Sequence, residues 1–137
     1  MAVNLIKLSV GSESVETLRD WQSNPRAQGP DGLPRHITRM WPKREDEVQS
    51  IYWVIQGVIQ CRQKVLRFDE VIGADSIRRC AFVLEPTLIR TTPVNRRPFQ
   101  GWRYLAIEDS PPDLKEGARE DALPSELSAA LADLGVI

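Results

Sequence analysis

The densest chemistry in the chain lies in "HITRMWPKR", His36 to Arg44, which holds its only histidine, one of its four tryptophans and three cations. A histidine with an unperturbed pKa near 6.5 can move a proton at neutral pH. No partner motif accompanies this one: there is no GxSxG elbow, no second histidine, and no CxxC, HxH or HExxH spacing that would build a nucleophile relay or a zinc site. On an alternating strand His36, Thr38 and Met40 share one face, and Ile37, Arg39 and Trp41 the other. His36 is read as a hydrogen-bonded structural residue, with general-base work as the alternative. Glu45, Asp46 and Glu47 read as a solvated helix start, and Asp69 with Glu70 as a strand end. Phosphate cradles of the GxxxxGK[ST] and GxGxxG kinds are missing. No cofactor and no metal are expected.

What remains is cationic and aromatic residues interleaved. Arg39, Trp41, Lys43 and Arg44 form one cluster; Tyr52 and Trp53 with Arg62 and Lys64 a second; Arg96, Arg97, Phe99, Gln100, Trp102, Arg103 and Tyr104 a third. Guanidinium groups grip phosphate as a bidentate fork, and aromatic faces stack on unpaired bases for about 1–3 kcal/mol each. The pattern predicts a cleft walled by Trp41, Trp53 and Trp102. Arg39, Lys43, Arg44, Arg62 and Arg103 would engage phosphate there, and Gln100 a base edge. The same residues also suit a small domain that buries its tryptophans and solvates its sheet. A pI of about 5.9 argues against strong non-specific duplex binding.

The elements that must position these residues follow from periodicity. "NLIKLSVG" alternates Leu5, Lys7 and Ser9 with Ile6, Leu8 and Val10, a short strand with one buried face. "SVETLRDWQ" reads as a helix capped by Ser14, with Val15, Leu18 and Trp21 on one side. The stretch "SNPRAQGPDGLPR", with three prolines and two glycines, is a loop of a length that often covers a site. "KREDE" starts a short helix running to about Ser50. The segment from Ile51 to Phe68 fits a helix on spacing alone and also two strands hinged at Gly57. Strands are favoured, because Val and Ile are stiff at χ1 and a mid-helix glycine costs about 1 kcal/mol. Ile59, Cys61 and Val65 would then share a face, opposite Gln60, Arg62 and Lys64.

Short strands at "IRRCAFVLEP", "TLIRTTP" and "RPFQGWRYL" bring the candidates to six, giving an α+β domain: a small mixed or mostly antiparallel curved sheet or barrel with flanking helices. One domain over residues 1–137 is expected. Its end carries an acidic extended segment over 106–123 and a terminal helix over 125–134.

Charge divides along the chain: residues 35 to 103 carry a net +6, residue 104 onward a net −6, and residues 1 to 34 a net −1. This is either an anion-binding face beside an acidic tail or two halves that neutralise each other in the fold. Cys61 and Cys80 read as small hydrophobes. In a hairpin turning near Gly73 and Ala74 they fall about six residues, on the order of 20 Å, out of register, beyond disulfide reach. No apolar run approaches the roughly 18 residues of a membrane span, and "MAVNLIKLSV" lacks a signal-peptide pattern. A cytoplasmic location without membrane contact is expected.

The stretches "HITRMWPKR", "YWVIQGVIQCRQKVL", "IRRCAFVLEPTLIRT" and "FQGWRYLAIEDSPPDL" resemble, in this order and over nearly the whole chain, an uncharacterised bacterial family, domain of unknown function 1489. That resemblance implies a bacterial single-domain protein and supplies no catalytic residues. At the level of fold, a small barrel with basic strands and exposed tryptophans is similar to the PUA-like superfamily, with its ASCH and EVE domains. Several of its members bind RNA or modified bases. The leading expectation is a non-enzymatic domain that binds RNA or a modified nucleobase. One alternative is a small hydrolase or transferase acting on an anionic metabolite with His36 as general base; another is an interaction module that engages a protein partner through the acidic C-terminal segment.

Overall fold

The β-branched run from Val48 to Ile72 folds as two strands, β3 (Val48–Ile55) and β4 (Val58–Ile72), as its stiff side chains predict. They meet at Gln56 and Gly57, whose φ angles of 54° and 77° are both positive. Two such residues make the tight turn whose twist matches that of the flanking strands. The computed structural model describes residues 2–114. Along the chain the remaining strands and the α-helix are β1 (Val3–Leu8), α1 (Val15–Gln22), β2 (Arg35–Thr38), β5 (Arg78–Leu84), β6 (Ile89–Asn95) and β7 (Trp102–Leu105), with short 3-10 turns at Pro25–Ala27, Glu45–Glu47 and Ile107–Asp109.

The strands form one mixed sheet in the order β2-β5-β4-β3-β1-β7, with β6 also on β4. The β1–β3 pair is parallel and the other pairs are antiparallel. The 15 residues of β4 let it serve three partners: β3 along its first half, β6 on the other side of that half, and β5 along its second half. The curved, mostly antiparallel sheet is therefore present, and the barrel is not. No ladder joins the outer strands β2 and β7. Side chains of β7 instead reach the segment that follows β2: Trp102 Nε1 donates to the Met40 carbonyl at 2.9 Å, and the Tyr104 hydroxyl accepts from the Arg44 backbone N–H at 3.1 Å.

Three local expectations change. Glu45–Glu47 is a single 3-10 turn, and β3 begins at once at Val48, so "KREDE" does not run on as a helix. Ile59 does not share a face with Cys61. The pairing with β6 shifts between Ile59 and Cys61, and such an irregularity rotates the strand, sending Ile59 to a cluster with Ile6, Tyr52, Val54 and Leu105. Among the described residues α1 is the only α-helix, where flanking helices were expected. Helix 125–134 and the acidic segment beyond residue 114 lie outside the described residues.

The main core fills the other face. Leu5, Ile51, Trp53, Cys61, Phe82 and Trp102 pack there under Val15 and Leu18 of α1. Both cysteines are buried and unbridged. Cys80 pairs with Glu70, and Cys61 with Trp53 and Arg90. Ser14 caps α1, its hydroxyl accepting from the Thr17 backbone N–H at 3.1 Å.

Candidate ligand-binding site

The main core does not reach the end of the sheet where β1 runs into α1. Leu5 is fully buried, but the next residues on its face, Lys7 and Ser9, are polar and cannot close an apolar core. A half-open cavity of about 610 Å³ lies there, between the end of β1, helix α1, and residues Arg35, His36, Trp53 and Leu84. A second depression beside Glu45, Asp46 and Arg67 is about half that size, at about 310 Å³.

The floor is held by a closed amide network. Trp53 Nε1 donates to Gln63 Oε1 at 3.1 Å, and Gln22 Nε2 to the same oxygen at 2.9 Å. Gln63 Nε2 donates to Gln22 Oε1 and to the Glu85 carbonyl, both at 2.7 Å. Gln63 is fully buried and Gln22 nearly so, and their bonds tie α1, β3, β4 and the end of β5 together. Satisfied buried polar networks of this kind fix geometry.

Two titratable groups line the cavity, Lys7 from β1 and His36 from β2. Lys7 is half-buried, which holds its ammonium below the ordinary lysine pKa. The ammonium donates to the Leu8 carbonyl at 3.2 Å and has no carboxylate within 4 Å among the described residues. His36 lies edge-on to Trp53 and Phe82, each at 5.8 Å between ring centres. Burial, and then the charge of Lys7, lower its pKa to about 4, so it is a neutral imidazole at pH 7. Its Nε2 is buried with no hydrogen-bond partner. At the rim stand Trp21, 51% exposed, Asp20 and the tip of the loop at Val10.

The structure distributes the sequence-predicted residues rather than gathering them. Trp53 and His36 line the cavity. Trp53 and Trp102 are only 4% and 5% exposed, so they are core residues and do not wall an open cleft with Trp41. Trp41 is half-buried beneath the guanidinium of Arg78, 4.3 Å from its ring centre. Arg62 already grips Asp113 in bidentate fashion at 2.7 and 2.8 Å. Arg103 lies over Phe99, 5.4 Å from its ring centre, on the face away from Trp102. Arg44 pairs with Glu47 at 2.8 Å. Arg39, Lys43 and Gln100 are exposed and line neither cavity. Arg35 borders the cavity, but its guanidinium pairs with Asp69 at 3.2 Å and lies 3.7 Å from Asp31.

Lys7, Trp21 and Gln22 escaped the sequence reading. One signal was available: a lysine interrupting an apolar strand on the face of a buried leucine. Burial pushes the thiols of Cys61 and Cys80 up to about 12, so neither is a thiolate at neutral pH. Among the described residues no group of three His, Cys, Asp or Glu side chains could hold a metal ion, and no helix is long and apolar enough to cross a membrane.

Fold and site together define an α+β protein built on an open, curled mixed sheet, with a cation and a neutral imidazole in a cavity at one end. The chain belongs to the DUF1489 family: the model described as "Protein of unknown function (DUF1489)" matches residues 5–137. No curated protein and no solved structure matches it.

Proposed function

We propose that this protein is a non-enzymatic binding domain for RNA or a modified nucleobase, and that the ligand enters the cavity between β1, α1 and β2. The observation that carries this reading is the half-buried ammonium of Lys7, which has no carboxylate partner among the described residues and shares one cavity with the exposed ring of Trp21. A buried cation without a counter-ion is costly, and an anionic ligand supplies the missing charge. An exposed tryptophan offers a base a face on which to stack.

The test is a titration of the full chain against single-stranded, structured and modified RNAs at two salt concentrations. Binding should weaken with salt. Lys7→Gln and Trp21→Ala should each weaken it at least about tenfold, or about 1.4 kcal/mol. An unchanged affinity in both variants, with a loss in Arg103→Ala, would move the ligand to the opposite face and overturn the assignment.

The enzymatic alternative draws on the place of His36 in the cavity lining. It is weaker on two counts. The neighbouring cation is Lys7 rather than Arg39 or Arg44, and a base with a pKa of about 4 has little affinity for a proton at pH 7.

A further inference from the structure

We infer that the cavity receives its ligand anion first, with the phosphate monoester of a nucleotide, free or at the end of an RNA strand, on Lys7 at the floor and the base against Trp21 at the rim. This rests on the nucleotide reading above and adds the orientation of the ligand and the chemical group that is read.

The argument is one of depth. Lys7 belongs to an inner strand and is paired on both sides, with Trp53 of β3 and Trp102 of β7, both core residues. Its side chain therefore starts from the floor of the cavity. One of its N–H groups goes to the Leu8 carbonyl, and none of the others has an acceptor among the described residues. The neutral His36 ring stands beside it. Trp21 projects from the last turn of α1 with half its surface in solvent, and Asp20 precedes it. The cation thus rises from the sheet at the base of the cavity, and the stacking surface and a carboxylate are carried by the helix that borders it.

A nucleotide inside a strand, flipped in base first, would meet this arrangement the wrong way round. Its uncharged base would lie against the ammonium, and its two phosphodiesters would stay at the rim beside Asp20. A terminal phosphate meets it the right way round. A monoester carries nearly two negative charges near neutral pH and three terminal oxygens, against one charge and two oxygens for a diester. The cavity volume of about 610 Å³ is within the usual range for small-ligand sites, so there is room for a mononucleotide.

The test compares ligands that differ only at that group, using the tryptophan fluorescence of the full chain. Nucleoside monophosphates are set against the parent nucleosides, and RNA tetramers with 5′- or 3′-phosphates against the same tetramers with hydroxyl ends. The phosphorylated member of each pair should bind at least tenfold more tightly. Lys7→Gln should abolish the difference and Lys7→Arg should keep it; Trp21→Ala should weaken both members of a pair. A phosphorus-31 shift on titrating wild-type protein with a monophosphate checks the contact without any variant. Equal affinity with and without the phosphate overturns this inference and leaves the nucleotide reading standing. Binding of inorganic phosphate as tight as that of nucleotides overturns the role of the base. Absence of binding across the panel overturns both readings.

Discussion

His36 lines the same cavity as the Lys7 ammonium, and it is the only histidine in the chain, so its titration can be isolated. Its pKa is about 4 in the folded protein against about 6.5 when unfolded. The unfolded state therefore binds the proton more readily, and stability rises with pH through this window. The contribution is complete above about pH 6.5 and is lost as pH falls toward 4, with a ceiling of about 3 kcal/mol. Urea midpoints measured from pH 7 to pH 4 should fall more steeply for wild type than for His36→Gln. The comparison is clean because Glu47 and Asp75, held at about 2 by Arg44 and Arg79, act alike in both proteins. Parallel curves would show that the folded imidazole keeps an ordinary pKa. Sequence made His36 and Trp53 visible because histidine and tryptophan are rare and chemically distinctive. Lys7 and Trp21 were hidden by the rules that usually work. Lys7 and Ser9 resemble the solvent face of a strand, and Trp21 completes the apolar stripe of α1, yet Gln22 is the buried residue there and Trp21 is the exposed one.

Among the elements, the β3–β4 hairpin carries the clearest local signal. Gln56 and Gly57 both adopt positive φ, and nothing lies within 4 Å of the position a β-carbon on Gly57 would take. Any penalty there is purely backbone strain. Gly57→Ala should cost about 1 kcal/mol, and Gln56→Asn should recover a few tenths, since asparagine tolerates the left-handed region better than glutamine. Denaturant unfolding of the two single variants and the double variant reads both effects; an unaffected Gly57→Ala would mean that the turn relaxes to another type. Most of the fold was legible at this scale, because β-branched runs, the Ser14 cap and the glycine turn are local signals. Ile59 was not. Strict alternation places it beside Cys61, and shifts in pairing against both β3 and the distant β6 put it on the other face. The order of strands was hidden for the same reason: β1 pairs with β3 and β7, far away in the chain.

For the molecule as a whole, charge and closure are connected. The basic middle of the chain is partly neutralised within the fold by carboxylates from outside it, Asp113 on Arg62 and Glu16 on Arg90, so net charge by segment overstated the free positive surface. Closure depends on equally few groups. The segment that follows β2 is tied to β7 by the Trp102–Met40 and Arg44–Tyr104 hydrogen bonds, and His36 on β2 lines the cavity. Trp102→Phe keeps an aromatic ring in the core and removes the indole N–H. The Met40 carbonyl, in a residue half-exposed to water, then loses a bond worth about 1 kcal/mol net. Because β2 is a short outer strand supported only by β5, the loss should be felt there and at β7 before it reaches the β3–β4 pair. Hydrogen exchange of Trp102→Phe against wild type should show faster exchange over Arg35–Thr38 and Trp102–Leu105, with the amides of Val48–Lys64 unchanged. A uniform rise along the chain would mean that the substitution lowers global stability without opening the edge. With the outer strand loosened, His36 is held less firmly and any ligand in the cavity should bind more weakly in the same variant, which makes closure of the sheet and occupancy of the cavity one linked equilibrium.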